Sequence, residues 1–363
     1  MCPGHPDKVA DQISDAVLDA YLAQDRGARV NCEVLVTRGT VIATGQITAA
    51  TDVDIDVAIR SVLTDVGYTN AGTHGISART AEVRILIDKQ SREIADGVDH
   101  GGAGDSGIVY GYASDETPER MPLGCVLAHD IARRVAATAD GSGVPLGPDG
   151  KVQVQLSSHG HKHSAVVVVS AQHQPDVALE KVRTTVAEEI VEPVLAERGV
   201  RASRIIVNPA GSFVVGGPAA DAGLTGRKLM VDSYGGLVRH GGGCCSGKDA
   251  TKVDRSGAYF ARYLAANVVA AGLARRCRVG MGFAIGQPEP VWFDVDCFDT
   301  SELPPQALAD KLRGSADLRV KAMVEWLRGV AYRPTATYGH FGRLDQSFPW
   351  EELALVEALR RAR

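Results

Sequence analysis

The stretch Cys32-Glu-Val-Leu-Val-Thr-Arg-Gly-Thr-Val-Ile-Ala-Thr-Gly-Gln-Ile47 contains two short runs of mostly apolar residues, 32–37 and 41–47. Arg38-Gly39 separates the two runs, and this pattern predicts a β-hairpin. Apolar residues recur every three or four positions after Pro6 and again over 53–66, so a helix is expected before the hairpin and another after it. A strand is expected at 83–87. The first part of the chain is therefore predicted to be an α+β unit.

The order hairpin, helix, strand recurs about three times along the chain. No clear sequence repeat accompanies it, so the pattern predicts an α+β fold of three similar domains without internal identity. The later predicted elements are helix 121–138, hairpin 152–156 with 165–170, helix 175–198, strand 204–207, a third cycle from 213–217, helix 254–273, strands 278–285 and 291–297, and helices near 304–313 and 320–327.

Composition excludes several classes of protein. The chain has 363 residues, 45% hydrophobic content and a formal net charge of −5, which predicts two or three folded domains and argues against global disorder. It has no apolar run of membrane-spanning length and no apolar signal-peptide core. Seven irregularly spaced Cys predict reduced thiols and a cytoplasmic protein. A pI near 6.1 disfavours nucleic-acid binding.

Glycine and positive charge are concentrated in one segment. Residues 211–247 contain eleven of the 40 glycines, with Lys and Arg within and just after them. Glycine lets backbone N–H groups approach an anion, so the segment fits either a polyphosphate site or an ordinary solvated loop. Gly242–Lys248 nearly matches a P-loop, but Asp249 stands where Ser or Thr is needed and 237–240 is a poor strand.

Several aspartates stand beside these glycines and cations. Mg²⁺ bound to phosphates takes one or two protein carboxylates, whereas Asp beside Gly more commonly forms a turn or caps a helix. Both interpretations remain open from the residues alone for Asp7, Asp105, Asp221, Asp249 and Asp254.

Ten motifs in a fixed order make the chain resemble the S-adenosylmethionine synthetase (methionine adenosyltransferase) family over essentially its whole length. They are Gly4-His-Pro-Asp-Lys8 with Ala10-Asp-Gln-Ile-Ser-Asp-Ala16, Gly102-Ala-Gly-Asp105, Gly216-Gly-Pro218, Asp221-Ala-Gly-Leu-Thr-Gly-Arg-Lys228, Asp232-Ser-Tyr-Gly-Gly236, His240-Gly-Gly-Gly243, Ser246-Gly-Lys-Asp249, Lys252-Val-Asp-Arg-Ser256, Tyr338-Gly-His-Phe-Gly-Arg343 and Phe348-Pro-Trp-Glu351.

The resemblance implies a fold and an activity. The fold is three α+β domains in a pseudo-threefold arrangement, here expected at 1–93, 101–213 and 214–363 with approximate boundaries and exchanged segments. The reaction joins the methionine sulfur to C5′ of ATP and releases tripolyphosphate, which is then cleaved to diphosphate and phosphate. It further implies a homodimer or homotetramer with shared active sites, two Mg²⁺ and a K⁺, and neither a membrane nor a nucleic-acid partner.

The resemblance also assigns roles to individual residues. His5, Lys151, Arg227 and Lys228 are implied to be catalytic. The implied ATP and phosphate contacts are His5, Asp105, Lys151, Phe213, Asp221, Arg227, Lys228 and Lys248. The implied methionine contacts are Gln46, Gln90, Asp221 and Lys252, and the implied metal ligands are Asp7 and Asp254 for Mg²⁺ and Glu33 for K⁺. Displacement at C5′ needs alignment and charge stabilisation rather than a covalent intermediate, which suits such a set.

The chain departs from the family near the amino acid. Gln46 stands where the family has a Glu that contacts the methionine ammonium, and Pro3 and Ser212 replace a Glu and an Arg. Ser106 and Ala266 are further replacements, the loop between Gln90 and Gly101 is shorter, and the strand that precedes Gly4 in the family has no counterpart. Gln cannot form an ion pair, so amino-acid binding is expected to weaken by about 1–3 kcal/mol.

Alternatives to methionine adenosylation follow from these departures. One is a family enzyme with another nucleophile, such as a methionine analogue, or one that chiefly cleaves tripolyphosphate; another is a weakly active paralogue that serves as a partner subunit. The group His159-Gly-His161-Lys-His163 is expected to be a solvated hairpin turn rather than a metal site.

Overall fold

The computed structural model describes residues 1–89, 101–138, 145–159 and 162–361. The strands are β1 (Arg29–Thr37), β2 (Thr40–Thr48), β3 (Glu82–Asp88), β4 (Gly107–Ser114), β5 (Leu146–His159), β6 (Lys162–His173), β7 (Val200–Val207), β8 (Gly223–Leu224), β9 (Arg276–Phe283) and β10 (Trp292–Asp296). The helices are α1 (Pro6–Gln24), α2 (Ile55–Asp65), α3 (Leu123–Thr138), α4 (Leu179–Thr184), α5 (Glu192–Glu197), α6 (Leu229–Asp232), α7 (Val253–Ala270), α8 (Pro305–Ser315), α9 (Val320–Trp326) and α10 (Val356–Arg361).

These elements form three sheets with helices packed on them, an α+β fold. The first has the order β3-β2-β1-β8, the second β5-β6-β7 and the third β10-β9-β4. Each of the first two contains an antiparallel hairpin, as predicted, and a third strand that pairs parallel with its second strand.

Two of the sheets contain strands from distant parts of the sequence. β4 pairs antiparallel with β9, more than 160 residues further along the chain, and the short β8 pairs antiparallel with β1. Consequently the glycine-rich segment after β8 is anchored to the first sheet and lies against α1. We propose three domains with the boundaries given above, 1–93, 101–213 and 214–363, in which β4 and β8 each pair with a strand of another domain.

Helix α1 is almost wholly enclosed. Its apolar side chains Val9, Ile13, Val17 and Leu18 are fully buried, and so are the polar Asp11, Ser14 and Asp15. It packs against β1, α2 and β8. A helix buried on its polar side as well must satisfy those groups inside the protein, which α1 does with backbone amides and cations described below.

The structure corrects several element predictions. The predicted helix 175–198 begins only at Leu179 and runs without a break to Glu197, and its middle, Thr185–Val191, is π-helical. The third cycle does not begin with a hairpin, since residues 213–217 form no strand. Strand β4 was absent from the predicted elements. Within the described ranges, no helix combines the length and apolar character that crossing a bilayer requires.

Candidate active site

The first group of functional side chains lies at the N-terminus of α1. His5 caps the helix, because its Nδ1 accepts the backbone N–H of Asp7 at 3.2 Å, and Pro6 occupies the first turn. Asp7 forms an ion pair with Lys228, and its Oδ1 accepts the N–H of Leu224 at 2.9 Å. Helix α1 therefore brings the predicted residues His5, Asp7 and Lys228 together, and the cap fixes the imidazole orientation.

His5 is held in its neutral form. Burial lowers the pKa of His5 to about 3, and the nearby Lys151 and Lys228 reinforce the effect against an opposing influence from Asp7. Because Nδ1 accepts a hydrogen bond, the proton of the neutral ring is assigned to Nε2. The imidazole therefore offers one N–H donor away from the helix. For Asp7, burial favours a higher pKa, but the hydrogen bonds from Lys228 and the Leu224 N–H, together with the charge of Lys228, outweigh it, so the pKa lies below its usual value.

Lys151 and Arg227 are the exposed cations of this group. Lys151 lies on β5 next to the buried Asp149, whose Oδ2 accepts the N–H of Gly217 at 2.8 Å. Burial raises the pKa of Asp149 to about 6. Arg227 precedes Lys228 and is exposed, so its guanidinium is available to an anion.

Phe213, Asp105 and Asp221 are further residues that are predicted to contact ATP. The N–H of Phe213 donates to His173 Nε2 at 3.1 Å, and its carbonyl accepts the His173 N–H at 2.9 Å, which leaves the ring half-buried. Asp105 and Asp221 are exposed, and each accepts the N–H of the next residue, as expected for turn aspartates.

The second group surrounds the N-terminus of α7. Lys248 donates to Asp254 Oδ2 at 2.6 Å, and Lys252 donates to Asp249 Oδ2 at 2.5 Å. A Cβ at Gly243 would lie 2.2 Å from Asp254 Cγ, so only glycine permits this approach of the loop to the carboxylate. The glycine-rich segment thus places cations and carboxylates in alternation.

Glu33 and Gln46 project from the neighbouring strands β1 and β2. Both are exposed, and Gln46 Oε1 accepts from Asn31 Nδ2 at 3.3 Å. Asn31 also bridges to Lys248 through the backbone, which connects these strands to the second group. Gln90 lies outside the described residues.

We divide the predicted site residues into two groups. The first, near the N-terminus of α1, is His5, Asp7, Lys151, Asp221, Arg227 and Lys228; the second, near the N-terminus of α7 and on the strands beside it, is Glu33, Gln46, Asp105, Lys248, Lys252 and Asp254. Among the described residues, Asp7 pairs with Lys228 in the first group and Lys248 pairs with Asp254 in the second, and no hydrogen bond or ion pair joins a residue of one group directly to a residue of the other.

The donor chemistry of the carboxylates fits hard cations. Among the described residues, no three His, Cys, Asp or Glu side chains converge on one point. A site completed by phosphate oxygens and water needs only one or two carboxylates, which is the usual way that Mg²⁺ is held. Asp7 and Asp254 meet this requirement, and the exposed carboxylate of Glu33 offers oxygen ligands suited to K⁺.

Asp11 and Asp15, whose role the sequence analysis missed, hold the glycine-rich segment in place. Asp7, Asp11, Asp15 and Asp19 form a stripe with four-residue spacing on α1, and each accepts a backbone N–H from a distant segment. This spacing is visible in the sequence, but a motif match alone does not identify these residues as buried acceptors. A helical stripe of four aspartates on a helix that also carries an apolar face could have signalled that role.

The structure decides one alternative from the sequence. Residues 237–241 form no strand before Gly242, and Asp249 accepts the N–H of Val30 at 2.7 Å, so the segment is not a P-loop. Of the histidine group, His163 Nδ1 contacts Ser158 Oγ at 2.8 Å close to the β5–β6 turn. His161 lies outside the described residues.

Cations and carboxylates on glycine-rich backbone define an anion-binding enzyme site of the kind that accommodates polyphosphates. The N-terminal, central and C-terminal domains of S-adenosylmethionine synthetase match residues 1–92, 100–213 and 215–352. The S-adenosylmethionine synthase of Desulforudis audaxviator is 48% identical over 379 residues, which cover 99% of this chain and 96% of that protein. The S-adenosylmethionine synthase of Thermus thermophilus is also 48% identical, over 381 residues that cover 99% of this chain and 95% of that protein. The chain belongs to the S-adenosylmethionine synthetase family.

Proposed function

We propose that the protein synthesises S-adenosylmethionine from ATP and methionine, and that His5 donates a hydrogen bond to the leaving tripolyphosphate oxygen. The observation that carries this proposal is the neutral, capped imidazole of His5 beside the Asp7–Lys228 pair. A neutral donor aimed at developing negative charge stabilises the transition state more than the ground state. Similarity to two synthases of this name over nearly the full chain supports the assignment.

The displacement needs no covalent enzyme intermediate. The methionine sulfur attacks C5′, the C5′–O bond breaks, the sulfur becomes a sulfonium and the electron pair leaves on tripolyphosphate. Lys151, Arg227 and Lys228 stabilise the growing charge from the first group, and Lys248 does so from the second. Water then cleaves the tripolyphosphate to diphosphate and phosphate while the same cations hold it.

In the absence of substrate, two lysines of the site are held by ion pairs with aspartates. Lys228 is paired with Asp7 and Lys248 with Asp254, so each of these half-buried ammonium groups has a counter-charge. When phosphates bind, they replace these carboxylates as the partners of the lysines. Asp7 and Asp254 would hold two Mg²⁺ and Glu33 would hold K⁺, and these cations would neutralise charge on the polyphosphate.

The substrate contacts and setting complete the proposal. Asp105, Asp221 and Phe213 bind adenosine, while Gln46, Gln90, Asp221 and Lys252 bind the amino acid. The enzyme is a cytoplasmic homodimer or homotetramer. Its sites are shared between subunits, as the resemblance to the family implies.

The test is product analysis by mass spectrometry. Purified protein with Mg-ATP, K⁺ and methionine is expected to form S-adenosylmethionine, diphosphate and phosphate in equal amounts. Omitting methionine should abolish the adenosylated product. Release of phosphate without any adenosylated product, across methionine and its analogues, would contradict the proposal.

The pH dependence of kcat provides a prediction from the His5 environment. The pKa of His5 is lowered to about 3, so His5 stays neutral from about pH 5 upward and loses no proton near 6.5. We expect the kcat profile of His5→Asn to have the same shape as the wild-type profile and a lower amplitude. A wild-type step near pH 6.5 that disappears in His5→Asn would show that His5 titrates during catalysis.

A second candidate function is adenosylation of a different amino-acid nucleophile. The observation that favours it is Gln46, which is exposed beside the second group and carries an amide bonded to Asn31. An amide accepts a hydrogen bond from an ammonium but offers no opposite charge. Without a carboxylate at position 46, a nucleophile whose amino group is less basic or modified would lose less binding free energy than methionine does.

Replacing Gln46 by glutamate tests the amino-acid half of the site. We expect Gln46→Glu to lower the methionine KM about 10-fold with little change in kcat, because a charge-assisted contact is regained. Steady-state kinetics with methionine as the varied substrate measure this. Thr48→Glu adds the same charge two residues later on β2, opposite Arg29 and farther from Glu33, and should leave the methionine KM within about 2-fold. Equal effects of the two variants would contradict the contact.

A further inference from the structure

Two buried sets of ion-paired side chains hold the backbone around the cations Arg227, Lys228 and Lys248, here called the clamp cations. Each set includes an aspartate of α1 and is called a brace below. Asp11 and Asp15 are fully buried, one helical turn apart, on the same face of α1 as Asp7. Neither side chain can reach bulk solvent, so each must be satisfied by protein groups. The backbone amides they bind, those of Gly226 and Gly247, stand one residue before Arg227 and Lys248. The stretches 227–228 and 248 are called the cation segments below.

The first brace consists of Lys8, Asp11 and Asp232. Lys8 donates to Asp11 Oδ2 at 2.9 Å and also forms an ion pair with Asp232. Asp11 Oδ1 accepts the N–H of Gly226 at 2.8 Å, one residue before Arg227. The N–H of Asp232 donates to the carbonyl of Lys228 at 2.8 Å. Arg227 and Lys228 therefore lie between two points that are fixed to α1.

The second brace consists of Asp15 and Arg255. The two side chains form a bidentate pair at 2.8 and 2.7 Å, and both are fully buried. Asp15 also accepts the N–H of Gly247 at 2.8 Å, while Arg255 donates to the carbonyl of Lys248 at 2.9 Å. Asp15 of α1 thereby holds the peptide that ends at Gly247 N–H, and Arg255 of α7 holds the peptide that begins at the Lys248 carbonyl. Gly247 has φ +78°, and a Cβ there would lie 1.9 Å from Cys32 O.

We infer that the Lys8–Asp11–Asp232 and Asp15–Arg255 braces are positioning elements that preorganise the two cation segments for the leaving tripolyphosphate. This inference rests on the proposed function, since it names the residues that support that site. A buried, directional ion pair resists displacement of the backbone when the anion binds, so cations remain where charge develops. A shift of about 1 Å in such a segment can reduce the rate about 100-fold.

The decisive comparison uses two buried arginines of α7. Arg255→Lys keeps the charge beside Asp15 but cannot hold both the carboxylate and the Lys248 carbonyl in the same geometry. We expect kcat to fall at least about 30-fold with the methionine KM within about 3-fold of wild type. Arg262→Lys is the matched control, because Arg262 is equally buried and pairs with Glu351 away from the cation segments. Its kcat should stay within about 3-fold.

A second pair of variants tests the first brace on α1 itself. Asp11→Ala removes the anchor of Gly226 and leaves Lys8 paired with Asp232, so no buried charge is orphaned. We expect a loss in kcat of about 30-fold. Asp19→Ala removes the acceptor of the Tyr332 and Arg333 amides, which precede no clamp cation, and should leave kcat within about 3-fold.

All variants are assayed at a temperature at which circular dichroism shows them to be folded. Hydrolysis of added inorganic tripolyphosphate provides a second readout and should fall in parallel with adenosyl transfer. Wild-type kcat in Arg255→Lys and Asp11→Ala, or equal losses in the controls, would overturn the inference. If the wild-type enzyme hydrolyses tripolyphosphate but forms no adenosylated product, the proposed function fails while the hydrolysis rates still test the braces.

Discussion

Substitution of His5 by asparagine is expected to lower kcat for S-adenosylmethionine formation about 100- to 1000-fold while the free energy of unfolding stays near that of wild type. The Asn Oδ1 occupies the position of His Nδ1, so it still accepts the N–H of Asp7 and caps α1. It does not reach the position of Nε2, from which we propose that the ring donates to the leaving oxygen. Loss of one such donor costs about 2.7–4 kcal/mol of transition-state stabilisation.

Two further variants of His5 separate the cap from the donor. His5→Ala loses both, so we expect a similar fall in kcat together with about 1 kcal/mol of lost stability. His5→Gln extends an amide toward the position of Nε2 and leaves the cap unmade, so part of the activity should return as stability falls. Steady-state kcat and urea unfolding measure the two properties. Loss of activity that tracks stability across all three variants would assign His5 a structural role only.

The local elements of the fold were largely predictable from the sequence. The hairpin over 32–47 was expected, and β1 and β2 contain it, because alternating burial follows directly from a two-residue period. Helix α7, predicted over 254–273, begins and ends within a few residues of that range. Such elements depend on neighbours in the sequence, which is the information that a periodic pattern carries.

Contacts between distant segments could not be predicted in this way. β4 contains Ile108, Val109 and Tyr110, a sequence typical of a strand, yet its partner β9 is more than 160 residues away. No local pattern specifies which strand completes a sheet. The same applies to β8, two residues long, whose pairing with β1 delivers the glycine-rich segment to α1.

The residues of the candidate site likewise fall into those that local motifs identify and those whose role depends on distant contacts. Motifs identified His5, Asp7 and Lys228 as functional, and the structure brings these three together at one helix terminus. The buried acceptors Asp11 and Asp15 lie in the same motif, but their partners Gly226 and Gly247 are over 200 residues away. Their role therefore appears only when the tertiary contacts are known.

Mixing of two inactive variants is expected to restore activity if each site is built from both subunits. His5→Asn disables the first group and Lys248→Met disables the second. Random assembly of equal amounts of the two chains makes about half of the dimers hybrid, and each hybrid contains one site with both groups intact. Coexpressed chains should therefore recover about a quarter of the wild-type specific activity. Either variant alone should retain about 1% or less.

The matched control mixes His5→Asn with Lys228→Met. Both substitutions lie in the first group, since Lys228 pairs with Asp7 beside His5, so every site in a hybrid dimer carries one defect. No recovery is expected although the hybrids form to the same extent, which affinity tags of two kinds on the two chains will verify. Recovery in both mixtures, or in neither despite verified hybrids, would contradict a shared site. Recovery only in the first mixture would place the two groups on opposite sides of one interface, where polyphosphate is bound by cations from both chains.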